Sequence, residues 1–132
     1  MIFQEVEIFK EIPSYIMDEI AELVSQEIFS VGSQVVREGK FADFFYILED
    51  GEIVIQSEGR PSLPVNKAGS VIGWSALVEP RRYTATGVCK RESKVIKIDG
   101  DRLMRVLEKH PAEGLRIMRR LAGVIASRLV QS

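Results

Sequence analysis

A mainly β fold with flanking helices is the class this sequence predicts: a small barrel or jelly roll between an N-terminal helix and two C-terminal helices. Three observations predict it. Apolar spacing changes twice, from helical to alternating near Phe29 and back to helical near Asp99. Glycines at Gly32, Gly39, Gly51, Gly59, Gly69 and Gly73 punctuate the alternating stretch at turn-like intervals. The 132 residues, 45% hydrophobic and 28% charged, describe one soluble globular domain with material for a single core. The expected division is a helical segment over 1–28, β structure over 29–98 and helices over 99–132.

The first segment, IFKEIPSYIMDEIAELVSQEIF, sets Ile16, Ile20 and Leu23 with Val24 at three- and four-residue spacings behind Pro13 and Ser14. That is an amphipathic helix with a marked start. The runs SQVVREG, FFYILEDGEIVIQ and SKVIKID are short and rich in β-branched and aromatic residues, as strands are. Asp50-Gly51, lying between two alternating runs, predicts a hairpin turn. SEGRPSLPVN, with two prolines and a glycine, predicts a disordered tip in an exposed loop rather than a central strand.

Helical spacing returns at DGDRLMRVLEKHPAEGLRIMRRLAGVIASRLVQS. Asp99 or Asp101 is placed to cap the first of these helices, and Pro111 suits the first turn of the second. In the last helix Leu115, Met118, Ala122, Ile125 and Leu129 repeat at three and four, a heptad-like seam that predicts a parallel homodimer. Ile117, Leu121 and Val124 form a second stripe beside it, so one wide face buried in its own domain is the competing reading.

Composition also excludes. A net charge of −1 gives no sequence-wide basic field for nucleic acid or anionic membrane, and no apolar run approaches the roughly 20 residues a membrane span needs. A single cysteine, Cys89, forms no internal disulfide and reads as a small buried hydrophobe in a reducing cytoplasm. His110 is the sole histidine, so a histidine-rich metal site is not expected, and no nucleophile elbow, P-loop or dinucleotide fingerprint is present. An enzyme is not expected.

Three stretches in order, FSVGSQVVREGKFADFFYILEDGEIVI, AGSVIGWSAL and RYTATGV, followed by a short helix and a long one, resemble the cyclic-nucleotide-binding domain. That domain is shared by the catabolite activator family and the regulatory subunits of cyclic-AMP-dependent kinase. Gly32, Gly39, Gly51, Gly69 and Gly73 fall at its turn positions. The resemblance implies the jelly roll and a phosphate-binding cassette of the form G-E-x-A-L followed by R-x-A-T. In that cassette backbone amides and an arginine hold the cyclic phosphate, and a glutamate holds the ribose.

Gly73, Ala76 and Leu77 match the first element, but Trp74 stands at the glutamate position. Anchoring on Ala85-Thr86 puts Tyr83 at the arginine position, while a one-residue insertion would bring Arg82 there instead. Side-chain alternation turns Arg82 away from the face that Tyr83 shares with Ala85, and a bulge would undo that. The ligand-lining set implied is Gly73, Trp74, Ser75, Ala76, Leu77, Arg82, Tyr83, Thr84 and Ala85. Losing both polar anchors weakens cyclic AMP by on the order of 10²- to 10⁴-fold. Trp74 either plugs the pocket or offers a stacking face to a flat ligand.

The expected function is a ligand-sensing or regulatory module that signals through its C-terminal helix to a protein partner and is not an ordinary cyclic AMP binder. No cofactor is expected with certainty; a cyclic nucleotide, or another small anionic or flat ligand, is the class considered. The alternatives are a dimeric scaffold with a collapsed pocket and the sensor half of a transcription regulator. The chain stops at Ser132 without a helix-turn-helix, so it is not expected to bind DNA by itself.

Overall fold

The structure, a computed structural model, describes residues 3–131. Two short 3₁₀ turns, Phe3–Glu5 and Glu7–Phe9, lead into helix α1 (Ser14–Ala21). Six strands follow: β1 (Val24–Phe29), β2 (Gln34–Val36), β3 (Phe44–Gln56), β4 (Leu63–Val65), β5 (Val71–Ile72) and β6 (Thr86–Asp99). Helices α2 (Gly100–Lys109) and α3 (Pro111–Gln131) end the described chain. All pairings are antiparallel, in the order β1-β6-β3-β4, with β2 also on β6 and β5 also on β3.

The frame is the pair of long strands β3 and β6, which run together from Phe44 opposite Asp99 to Gln56 opposite Thr86. Because β3 is buried on both faces near its start, Phe44 to Leu48 reads as a continuous apolar run rather than an alternating one. Alternation then sorts the residues. Phe45 and Ile47 join the cluster beneath the helices with Ile8, Phe9, Ile16, Ile20, Leu103, Ile117 and Leu121. Tyr46 and Leu48 join the barrel interior with Ile53, Ile72, Cys89 and Val95. Cys89 is buried there, and burial raises its thiol pKa.

Three expectations change. Asp50-Gly51 is not a hairpin turn: β3 passes straight through it with register shifts against β6. A Cβ on Gly51 would lie 2.2 Å from the hydroxyl of buried Ser93, and that hydroxyl accepts the Glu52 amide at 3.1 Å. Close contact across the sheet, rather than chain reversal, requires the glycine, which sits at φ 132°.

Part of SEGRPSLPVN is also ordered. Leu63–Val65 forms β4 on the edge of β3, with exposed Pro64 opposite Val54, at the kind of edge position proline tolerates. Finally, α1 ends at Ala21 and β1 starts at Val24, five positions before the expected change at Phe29. The Val24–Phe29 stretch pairs along its length with β6, from Ile98 to Ser93, and this pairing takes Val24 out of the helix.

The C-terminal helices begin where capping chemistry puts them. Asp99 Oδ1 accepts the Arg102 amide at 3.1 Å, and Asp101 instead pairs with Arg81. Gly114 brings α3 against α2, since a Cβ there would lie 2.4 Å from the Leu107 carbonyl oxygen. Among the described residues no helix is long and apolar enough to cross a membrane.

Candidate functional site: the cassette and the end of α3

Gly73 leaves β5 at φ 79°, a left-handed conformation that suits glycine, and opens the 3₁₀ turn Trp74–Ala76. A Cβ on Gly73 would sit 3.1 Å from both the Phe44 carbonyl oxygen and the Tyr83 ring. The turn closes on itself, with the Ala76 amide donating to Gly73 O at 3.1 Å and the Leu77 amide to Trp74 O at 2.9 Å. Ser75, Ala76 and Leu77 are buried behind it.

Facing this turn is the 81–85 segment, which the backbone ties to the loop before β3. The Ala42 amide donates to Arg81 O, the Gly39 amide to Tyr83 O and the Tyr83 amide to Lys40 O, at 2.8, 2.8 and 2.9 Å. Tyr83 points inward. Its ring packs against both apolar clusters, and its hydroxyl donates to Phe44 O at 2.6 Å and accepts the Phe44 amide at 3.3 Å. Burial raises the phenol pKa.

Arg82 is exposed on the outer side and donates to Gly39 O at 3.2 Å. Thr84 is exposed and Ala85 half-buried, while β6 starts only at Thr86. Arg81 serves the scaffold: it pairs with Asp101 at 2.9 Å, donates to Ala42 O at 3.2 Å and lies over the Phe41 ring.

Between the turn and this segment remains a cavity of about 40 Å³, bordered by Val36, Gly73, Trp74, Tyr83, Ala85 and Arg128. That is room for about one water molecule. Arg128 is a residue the sequence reading missed. From the end of α3 its guanidinium lies 4.9 Å from the centroid of the Trp74 ring, and burial lowers its pKa. A signal for it exists in the helix register. Ile117, Leu121 and Val124 make the inward stripe, and the same stripe runs on to position 128.

The proposed seam divides in the structure. Leu115, Ala122 and Leu129 are exposed, whereas Met118 and Ile125 are half-buried and pack against the protein's own core. At the other end of α3, His110 Nε2 lies 2.5 Å from Glu19 Oε2, which ties the helix junction to α1. Among the described residues no group of three or more histidine, cysteine or carboxylate side chains could hold a metal ion.

Beyond Arg128, away from the cassette, α3 overhangs an open cleft of about 610 Å³ that continues into a second of about 520 Å³. Both are bordered by Glu7, Lys67, Ser70, Val124 and Arg128.

Antiparallel pairing, helix order and the glycine-opened turn are the features of one family, and the comparisons with known proteins agree. The model of the cyclic nucleotide-binding domain matches residues 26–110, more than half of the chain, and the chain belongs to that family. A cAMP-dependent protein kinase regulatory subunit from Emericella nidulans is 34% identical over 119 residues, covering 89% of this chain and 28% of the relative. The curated relatives it matches are several times longer than the aligned region.

Among solved structures, a candidate cyclic nucleotide-binding protein from Geobacter metallireducens is 25% identical with a TM-score of 0.85, covering 98% of this chain and 99% of that one. The regulatory domain of Toxoplasma gondii PKA, solved with cAMP, shares the fold at a TM-score of 0.74 and 24% identity, covering 91% of this chain and 47% of that one.

Proposed function

We propose that this chain is a regulatory module of the cyclic-nucleotide-binding family that is not an ordinary cyclic AMP sensor and that passes its signal to a protein partner through α3. The observation that carries this reading is the cassette cavity of about 40 Å³. Small-molecule pockets run to about 300–1,000 Å³. Tyr83 fills the space in which a cassette arginine would meet phosphate, and its hydroxyl is already bonded to Phe44 on the backbone. Trp74 replaces the acid that would meet the ribose, and Arg82 faces out.

Coupling to α3 follows from the same residues. The Arg128–Trp74 contact contributes about 0.5–2 kcal/mol, so a ligand that displaces Trp74 loosens the end of the helix. The exposed Leu115, Ala122 and Leu129 support docking of this helix on a second copy or a protein partner. The Emericella relative is by name a regulatory subunit, which supports a protein partner and a non-enzymatic role, and the cytoplasmic setting is part of the same proposal. A dimeric scaffold with a collapsed pocket is the second reading, favoured by the same small cavity.

Calorimetry with cyclic AMP and cyclic GMP tests the first claim. Each is expected to bind roughly 10²- to 10⁴-fold more weakly than it would with both charge-assisted contacts in place, and so to show no low-micromolar binding. Low-micromolar binding abolished by Arg82→Ala would overturn it. Sedimentation tests assembly: the expected result is a dimer that Leu129→Glu converts to monomer, and a wild-type monomer at tens of micromolar contradicts it.

A further inference from the structure

The fold half-buries Arg128 where no carboxylate answers it. Among the described residues the ion pairs engage Arg81, Arg91, Lys97, Lys109 and His110, and none of them involves Arg128 or Lys67. A partly desolvated charge without a counter-charge is unfavourable, so its retention needs an explanation. One face of the guanidinium is covered by the Trp74 ring. Its N–H donors lie in the guanidinium plane and remain for a group seated beside the ring.

What lies beside it is the cleft between α3 and the segment leading into β5. Lys67 and Ser70 border it from the strand side, and Arg120, Ser127 and Arg128 border it from the helix. Three cations face one carboxylate there, Glu7. The adjoining space has the opposite bias, with Glu5, Glu7 and Glu49 along its wall. Arg128 and Lys67 border both spaces, but Arg120 joins them only in the first and Glu5 and Glu49 oppose them only in the second, so the first is the more basic of the two. At about 610 Å³ the cleft matches a small molecule in size, while the chain's net charge of −1 offers no extended basic surface for a polyanion.

We infer that this cleft is a binding site, separate from the cassette, for a small metabolite carrying a phosphate or carboxylate group, held between Arg128 and Lys67. The inference rests on the reading that the cassette itself is closed. A ligand bound there bridges the end of α3 to the β4–β5 connection and changes the stacking of Arg128 on Trp74.

Trp74 is the sole tryptophan, so its fluorescence reports on the site directly. The experiment titrates the full chain with inorganic phosphate and, separately, with succinate at constant ionic strength, with calorimetry in parallel. Saturable binding of at least one anion is expected, weakened about tenfold or more in Arg128→Gln and in Lys67→Gln and unchanged in Arg82→Ala. Lys67 is exposed on a loop, so Lys67→Gln keeps the test valid should Arg128→Gln fold poorly. Preference for phosphate or for succinate identifies the acid class.

Absence of saturable binding with both anions overturns the site. So does wild-type affinity in both Arg128→Gln and Lys67→Gln. Binding lost in Arg82→Ala yet intact in the other two variants instead overturns the closed cassette and moves the ligand there.

Discussion

The two halves of α3 belong to different environments. The first half is built into the protein: Gly114 meets the backbone of α2, Ile117 and Leu121 are 0% exposed, and the His110–Glu19 contact fixes the entry. The second half overhangs the barrel mouth, with Leu129 59% exposed and Arg128 resting on Trp74. One continuous helix therefore joins a rigid anchor to a lightly held end. A contact of about 0.5–2 kcal/mol is within reach of ordinary ligand binding, while the burial of two whole leucine-sized side chains is not. Movement on ligand binding is thus expected at the far end, with the near end as its pivot.

The sharpest way to break this comparison is to truncate both halves. Leu121→Ala is expected to cost about 2–5 kcal/mol, because a fully buried leucine leaves a cavity in the cluster beneath the helices. Leu129→Ala, at an exposed position, is expected to change stability by less than about 0.5 kcal/mol. Urea unfolding of the two variants at a concentration where assembly is constant checks this. Equal losses would mean that the end of α3 is held as firmly as its start.

The platform under that end comes next. Tyr83→Phe keeps the ring and removes the hydroxyl that both donates to and accepts from Phe44. Leaving those half-buried backbone groups unpaired is expected to cost about 1–3 kcal/mol. If Tyr83 is packing alone, the melting temperature stays at the wild-type value.

How much of this was legible in the sequence depends on the range of the forces. Local signals held: Asp99 caps α2, Pro111 opens α3, and alternation separates inward Tyr83 from outward Arg82. Asp50-Gly51 misled because its turn chemistry is the usual meaning of the dipeptide. Here contact with Ser93, far along the chain, explains the glycine. Val24 likewise continues a helical pattern, yet pairs opposite Ile98.

Arg128 was missed for a different reason. Its place in the inward register of α3 is local information, but the ring that receives it belongs to a distant turn. The direction in which α3 crosses the barrel decides that they meet. The cassette turn at Gly73 was readable because a family pattern exists to compare it with. The cleft had no pattern to depart from.

The smallest effect expected is at the pivot and depends on pH. Glu19 accepts from Lys109 Nζ at 2.7 Å and meets His110 Nε2 at 2.5 Å, with Lys109 the larger influence and His110 the second in holding its carboxyl below the ordinary glutamate pKa. A carboxyl depressed in the folded state stabilises it above the unfolded value, near pH 4.3, and that contribution is lost as pH falls through the lower folded value. Glu19→Gln carries no such charge. Wild-type protein is therefore expected to lose stability more steeply than the variant as pH drops from about 5 toward 3. The side chain is solvent-accessible and the pairing screened, so the difference in slope is modest and best read from melting temperatures at low salt. Parallel acid limbs in the two proteins would show that the pivot is held by the packing of α1 on α2 rather than by this carboxylate.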